Sequence, residues 1–284
     1  MAYKIINGKE ISAAVKERIK NEVEALKVKG IGVGLAVILV GENPASKVYV
    51  ANKKKACEEL GIKSFEFKLP EQTTEEELIS LIKKLNENSE VNGILCQLPL
   101  PAHLDESTVI NTIVPEKDVD AFHPVNVGKI MIGDFDFLPC TPAGIMEMLG
   151  FMNIDVCGKE CVVIGRSNIV GKPMAMLLLH KNATVTVCHS KTKDLKAVTS
   201  RADVLVSAVG RAGFVTADMV KEGAVVIDVG MNRNAENKLC GDVDFEAVAE
   251  KCSAITPVPG GVGPMTIAML MQNTLTAAKK QNNF

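Results

Sequence analysis

Apolar positions in the first part of the chain recur at the spacing of an amphipathic helix. Ile11, Val15, Ile19, Val23 and Leu26 fall three or four residues apart, which puts them on one face of a long helix packed against a core. A strand from Val33 to Val40 follows, then Gly41-Glu42-Asn43-Pro44 as a turn, then a helix from about Ala45 to Leu60 that Gly61 closes. Next come a strand over Ile62 to Leu69, a helix opened by Thr73 or Thr74 with acidic residues in its first turn, and a strand around Gly93 to Leu98. Such βα alternation predicts a mostly parallel sheet.

From Pro115 to Pro142 the chain is rich in Pro and Gly and shows no long periodic segment, so a crossing between two lobes is expected there. Short apolar strands then recur at Cys161 to Ile164, Thr184 to Cys188, Val204 to Ala208, Ala224 to Val229 and Ser253 to Ile255, with helical stretches between most of them. This is the pattern of a doubly wound sheet. A final helix, about Met265 to Lys279, follows a Pro-Gly cluster. The expected architecture is α/β in two lobes. An N-terminal α/β catalytic domain covers 1–121, a Rossmann-like doubly wound parallel sheet covers 139–263, and a C-terminal helix within 264–284 packs back onto the first lobe.

Composition narrows the partners. The 284 residues suffice for two cores, and 47% hydrophobic with 23% charged residues matches an ordinary globular protein. A net charge of −2 gives no electrostatic case for nucleic acid or an anionic membrane, leaving small molecules as the default. No secretory leader is read at the start, and the most apolar run, Gly32 to Val40, is far too short to span a bilayer. The reading is a soluble, cytoplasmic protein. The eight cysteines contain no Cys-x-x-Cys pair and the four histidines are dispersed, so buried thiols and no metal are expected.

The strand Cys161 to Ile164 runs into Gly165-Arg166-Ser167-Asn168-Ile169-Val170-Gly171, followed by Lys172, Pro173 and a helix rich in Met and Leu. A glycine-bearing turn between strand and helix lets backbone N–H groups approach a pyrophosphate, and the helix N-terminus adds partial positive charge. The run departs from G-x-G-x-x-G because Ser167 stands where a second glycine would be, and a turn without ligand fits the same residues. The next strand ends in Cys188-His189-Ser190-Lys191-Thr192, with no carboxylate before Asp194. An acidic residue there would hold the ribose 2′-hydroxyl of NAD. A hydroxyl with neighbouring cations, and Arg166 in the turn, suits the 2′-phosphate of NADP, although Ser190 and Lys191 also read as a solvated loop.

In the first lobe Tyr49 and Lys53 stand four residues apart on the helix after Pro44, with Ser46 one turn earlier. A lysine beside a phenol in a cleft that excludes water can exchange protons near neutrality, whereas Lys53-Lys54-Lys55 can equally be the wet side of a helix. Gln97 ends a strand just before Leu98-Pro99-Leu100-Pro101, where its amide can project into a cleft at the carboxyl edge of a sheet. Asp118 and Asp120 flank Val119, and a carboxylate there can accept from a guanidine-like edge such as a pterin's. Cap or turn roles fit both.

Taken together these stretches resemble the bifunctional methylenetetrahydrofolate dehydrogenase/cyclohydrolases. The resemblance runs through nearly the whole chain: Val40 to Ser46 leading to Tyr49 and Lys53, Gln97-Leu98-Pro99-Leu100-Pro101, Lys117-Asp118-Val119-Asp120, Pro139-Cys140-Thr141-Pro142, Gly165 to Pro173, and Thr256 to Thr266. It implies a catalytic Lys53 assisted by Tyr49, a Gln97 that orients or tunes the lysine, and an Asp120 that anchors the pterin ring. Ser46 and the Pro259-Gly260-Gly261-Val262 loop become further wall of the folate site. Gly165, Arg166, Ser167, Ser190 and Met231 are implied around NADP, and a homodimer through the cofactor-binding lobes is implied as well. The expected chemistry is oxidation of 5,10-methylenetetrahydrofolate, then hydrolysis of the methenyl product to 10-formyltetrahydrofolate.

Two other readings stand beside it. Tyr49 and Lys53 satisfy the Tyr-x-x-x-Lys spacing of short-chain dehydrogenases, but in that family the glycine turn opens the chain and the pair follows, the reverse of the order here. A non-catalytic nucleotide-binding protein on the same sheet is the third.

Overall fold

A computed structural model describes residues 3–284. Met1 and Ala2, which open the N-terminal domain expected above, lie outside the described residues. In chain order the elements are β1 (Lys4–Ile5), α1 (Gly8–Val28), β2 (Gly34–Val40), α2 (Pro44–Leu60), β3 (Lys63–Leu69), α3 (Glu75–Glu87), β4 (Gly93–Cys96), α4 (Glu106–Thr112), α5 (Pro124–Ile132) and α6 (Cys140–Phe151). They continue with β5 (Glu160–Ile164), α7 (Gly171–His180), β6 (Thr184–Cys188), α8 (Leu195–Thr199), β7 (Val204–Ser207), β8 (Val225–Asp228), β9 (Asn232–Arg233), β10 (Leu239–Cys240), α9 (Phe245–Ala249), β11 (Ala254–Ile255) and α10 (Val262–Gln281). The chain divides into two compact units: Ala14–Cys140 with Ile267–Phe284, here the N-terminal unit, and the residues up to Ala13 with Thr141–Thr266, the C-terminal unit.

The N-terminal unit is built on a parallel sheet of order β3-β2-β4. β2 lies in the middle and is buried along all seven residues, which is why Gly34 to Val40 reads as an unbroken apolar run and not as an alternation. α3 starts at Thr74, whose hydroxyl accepts from Glu77 N–H while Glu77 reaches back to the Thr74 N–H, a capping box. It buries Leu78, Ile82 and Leu85 in the cluster that holds Ile38, Val40 and Ile94. The end of α10 closes the unit, with Asn273 Nδ2 donating to the Val119 and Leu138 carbonyls, both at 2.8 Å. The stretch expected to lack periodic structure contains α5. Pro124 opens it, His123 Nδ1 accepts from Val125 N–H, and Gly133 ends it at φ 81°. Of its apolar residues Val125, Val127, Met131 and Ile132 are exposed and only Ile130 is buried, so no buried stripe marked it in the sequence.

The C-terminal unit carries six parallel strands in the order β1-β11-β8-β7-β5-β6. Five match the expected strands to within two residues. The sixth, β1, corrects the reading that assigned the first residues to the other domain: Lys4 and Ile5 pair with Ala254 and Ile255. Two residues are too few to show a period. The β9–β10 hairpin escaped for the same reason. β5 has β6 on one side and β7 on the other, so the chain order reverses there, and the carboxyl ends of β5 and β7 flank the crevice where doubly wound sheets take their ligands.

Candidate functional site

The N-terminal unit collects one constellation at the carboxyl edge of its sheet. β2 ends at Gly41, φ 81°, and the chain turns into α2. Asn43 starts that helix: its side-chain oxygen accepts from Ser46 N–H at 3.1 Å, its carbonyl accepts from Lys47 N–H, and Pro44 sits where a missing N–H costs nothing. Ser46, Val50, Lys53, Cys57 and Leu60 then form the buried stripe of α2. Of the three consecutive lysines only Lys53, 8% exposed, points inward. Lys54 pairs with Glu66 at 2.8 Å and Lys55 is exposed. Tyr49 is half-buried one turn before Lys53, and burial lifts its phenol above the ordinary value.

Lys53 Nζ donates to Gln97 Oε1 at 2.8 Å. The amide cannot turn over, because Gln97 Nε2 donates to the Leu98 carbonyl at 2.7 Å, and the backbone is held by Gln97 N–H on the Ile38 carbonyl. Burial lowers the Lys53 pKa, and the field of Asp120 opposes that shift. Asp120 is its counterpart. Part of the residue reaches solvent, yet the surrounding atoms shield its carboxyl, and burial pushes it up to about 6 against the pull of Lys53 and with the help of Asp118. An ammonium shifted down and a carboxyl shifted up, coupled to each other, bring two proton-exchanging groups toward the neutral range. Cys140 lies beside them, its Sγ 4.0 Å from Asp120 Oδ1, with its thiol raised well above the usual value by burial.

Asp118 does different work. Its Oδ2 accepts from His123 N–H at 2.8 Å and Asn126 Nδ2 at 2.9 Å, fastening the entry to α5.

In the C-terminal unit the turn after β5 is closely fitted. A side chain at Gly165, φ 132°, would press on the Ala208 carbonyl, and one at Gly171 would overlap the Gly165 carbonyl. Ser167 is no gap in the fingerprint, since its hydroxyl accepts from Val170 N–H at 3.2 Å and Gly171 N–H at 3.3 Å and so ties the turn to the start of α7. Arg166 is exposed. At the end of β6, His189 and Thr192 close a tight turn through His189 N–H on Thr192 Oγ1 at 2.8 Å, leaving Ser190 and Lys191 exposed. Asp194 caps α8 by accepting from Ala197 N–H. Met231 follows β8 beside Gly263. Pro259, Gly260 and Gly261 form the loop from β11 to α10. There Gly260 has φ 103°, and Gly261 packs so tightly on Thr256 that a Cβ would lie 2.9 Å from that residue's own.

Sequence reasoning missed Asp228 and Asp242, two buried carboxylates at the carboxyl edge of this sheet. Burial pushes Asp228 up to about 6, and three backbone N–H groups oppose it. The signal was present as glycines facing acids: a side chain at Gly230 would overlap the Asp242 carboxylate, and one at Gly241 would overlap that of Asp228.

Among the described residues no His, Cys, Asp and Glu group could hold a metal ion, and no helix is long and apolar enough to cross a membrane.

Residues 6–120 match the family described as the tetrahydrofolate dehydrogenase/cyclohydrolase catalytic domain, and residues 139–282 match its NAD(P)-binding domain. The bifunctional protein FolD of Acetivibrio thermocellus is 64% identical over 281 residues, 99% of each chain. Among solved structures, the bifunctional FolD of Campylobacter jejuni has a TM-score of 0.97 at 54% identity, covering 99% of this chain and 100% of that one. The methylenetetrahydrofolate dehydrogenase-cyclohydrolase of Trypanosoma brucei, complexed with NADP and an inhibitor, has a TM-score of 0.95 at 39% identity, covering 99% of both.

Proposed function

The chain belongs to the tetrahydrofolate dehydrogenase/cyclohydrolase family, and we propose that it runs both reactions at one folate site centred on Lys53. It is an NADP-dependent methylenetetrahydrofolate dehydrogenase that also hydrolyses the methenyl product to 10-formyltetrahydrofolate, in one-carbon metabolism. The N-terminal unit takes the folate and the C-terminal unit takes NADP. The short-chain dehydrogenase and non-catalytic readings fall with the family match.

The observation that carries the assignment is the buried Lys53 ammonium fixed on the Gln97 oxygen and coupled to Asp120. Gln97 presents only an acceptor to Lys53, so the lysine keeps its other donor positions for substrate. When bound, NADP supplies the acceptor for the hydride that leaves the methylene carbon. Lys53 then serves the second stage. In its neutral amine form it takes one proton from the attacking water and, as the ammonium, returns it to the ring nitrogen that leaves as the five-membered ring opens, while the remaining hydroxyl proton is released to solvent as the formyl carbonyl forms. Tyr49 and Gln97 control its protonation and position. Asp120 anchors the pterin through the N–H edge of the ring, with Ser46 as further wall.

For the cofactor, Gly165 and Gly171 leave the backbone open where side chains would fill the turn, which suits a pyrophosphate. Arg166 and Ser190 are assigned to the 2′-phosphate. The β6 turn offers no carboxylate to repel it. Met231 is assigned to the surroundings of the cofactor as well.

The chain works in the cytoplasm as a homodimer joined through its C-terminal units. Eight unpaired cysteines support a reducing compartment. The edge strand β6, with Val187 exposed, and the exposed Leu179 of α7 support the dimer surface. The deciding experiment on the site is Lys53→Met assayed for both activities. Hydrolysis at near wild-type rate would remove Lys53 from the mechanism.

A further inference from the structure

The two carboxylates missed in the sequence are wired into a loop at the crevice of the C-terminal sheet. Asp242 is fully buried, and both of its oxygens are in use. Oδ2 accepts from Val209 N–H at 2.7 Å, Gly210 N–H at 3.3 Å and Ser207 Oγ at 3.2 Å, and Oδ1 accepts from Arg211 N–H and Asn232 Nδ2, both at 2.9 Å. Three successive backbone donors of the segment after β7 therefore converge on one side chain. Such a nest fixes a loop that has no ladder to pair with.

Asp242 is itself held. Asp228, at the end of β8, accepts from Asp242 N–H and Gly230 N–H through Oδ1 and from Val243 N–H through Oδ2, each at 2.9 Å. The Asp228 N–H in turn donates to Thr256 Oγ1 at 2.7 Å. Thr256 stands at the root of the loop Pro257 to Gly261. One continuous chain of hydrogen bonds thus runs from the loop after β11, through the ends of β8 and the Gly241–Val243 segment, to the loop after β7. That last loop starts at Ala208, whose carbonyl a side chain at Gly165 would press on. The loop is consequently packed against the cofactor turn at the reversal of strand order.

We propose that Asp242, seated by Asp228, is a positioning residue for the dehydrogenase reaction: it sets the Val209-Gly210-Arg211 backbone that borders bound NADP, and it takes no part in hydrolysis. The proposal rests on the reading of the C-terminal unit as the NADP site, and it is independent of the role given to Lys53.

Asp242→Asn keeps the shape and removes acceptor capacity, because an amide nitrogen must now face N–H donors. The full-length variant is tested by NADPH fluorescence titration, by dehydrogenase kinetics with varied NADP, and by hydrolysis of methenyltetrahydrofolate without cofactor. A ten-fold or larger rise in the NADPH Kd or the NADP KM is expected, with hydrolysis within two-fold of wild type. Equal loss of both activities, or unchanged cofactor binding in a folded variant, overturns the proposal. If Asp242→Asn does not fold, Ser207→Ala and Asn232→Ala each remove a single donor to Asp242 and carry the test. Each is expected to raise the NADP KM two- to five-fold with hydrolysis unchanged, and no change in either overturns it. Failure of the Lys53 assignment shows in Lys53→Met alone, and failure of the NADP assignment shows as wild-type protein that does not bind NADPH.

Discussion

Exchanging Lys53 for methionine removes the ammonium and keeps an unbranched chain of similar length in a position only 8% exposed. A positioned acid–base group contributes roughly a hundred- to ten-thousandfold, or about 3–5 kcal/mol of barrier at roughly 1.4 kcal/mol per factor of ten. Hydrolysis needs such a group twice, for the water and for the leaving nitrogen. Hydride departure releases no proton at the reacting carbon. Cyclohydrolase activity should therefore fall at least about a hundredfold while a measurable share of dehydrogenase activity survives, so that methenyltetrahydrofolate accumulates. The surviving share should also depend on pH. Lys53 pulls the Asp120 carboxyl down, so its loss lets that group rise further above about 6, and the folate KM should increase near neutrality and recover at higher pH.

Stability provides an independent control. Burial places the folded pKa of Lys53 below its unfolded value, so the buried charge is a cost at neutral pH, and wild-type stability rises as pH climbs from the folded to the unfolded value. Methionine removes both the cost and this rise. Gln97 Oε1 meanwhile loses its donor, at about 1 kcal/mol, and the two effects partly offset. Stopped assays of both products with thermal melts on the purified variant check the whole argument. Near wild-type hydrolysis would refute it, and equal loss of both activities would reduce Lys53 to a positioning role.

Three further outcomes are expected. Arg166→Ala should raise the KM for NADP much more than that for NAD, since only the former loses a phosphate contact; comparable efficiency with both cofactors in the wild type would contradict the assignment. Asp120→Ala should damage both activities through folate binding with NADPH affinity nearly intact, and in the wild type the folate KM should rise on acidification through about 6, as the carboxylate takes up its proton. Asp118→Ala should cost about 1–3 kcal/mol of stability by stripping His123 N–H and Asn126 of their acceptor, seen as a lowered Tm, with kinetic constants less affected than in Asp120→Ala.

Much of this could be read from the residues because burial leaves a period behind. α1, α2, α3 and the five main strands of the C-terminal sheet announced themselves by stripes or runs. β1 and the β9–β10 pair are too short to carry a period, and of the apolar residues of α5 only Ile130 is buried. Lys53 shows how far a period reaches: three adjacent lysines look alike by charge, but Ser46, Val50, Cys57 and Leu60 recur at helical spacing, and Lys53 falls on their line. Gln97 drew notice as a polar residue ending an apolar strand. Asp228 and Asp242 could not be found this way, because a carboxylate that accepts from the backbone of distant segments obeys no local spacing. Only the glycines opposite them record it.

The division of the chain also has a consequence for its synthesis. α10 begins in one unit and ends in the other, and Ala268, Leu270, Met271, Leu275, Ala277 and Ala278 are buried. On the ribosome, Ala14 to Cys140 emerge early, yet they lack the helix that covers their core until the residues after Thr266 appear. The C-terminal unit already has all its strands by then, since β1 precedes α1 in the chain and waits for β11. The half that is translated first is completed last, and in the interval its apolar surface is open to whatever meets nascent chains.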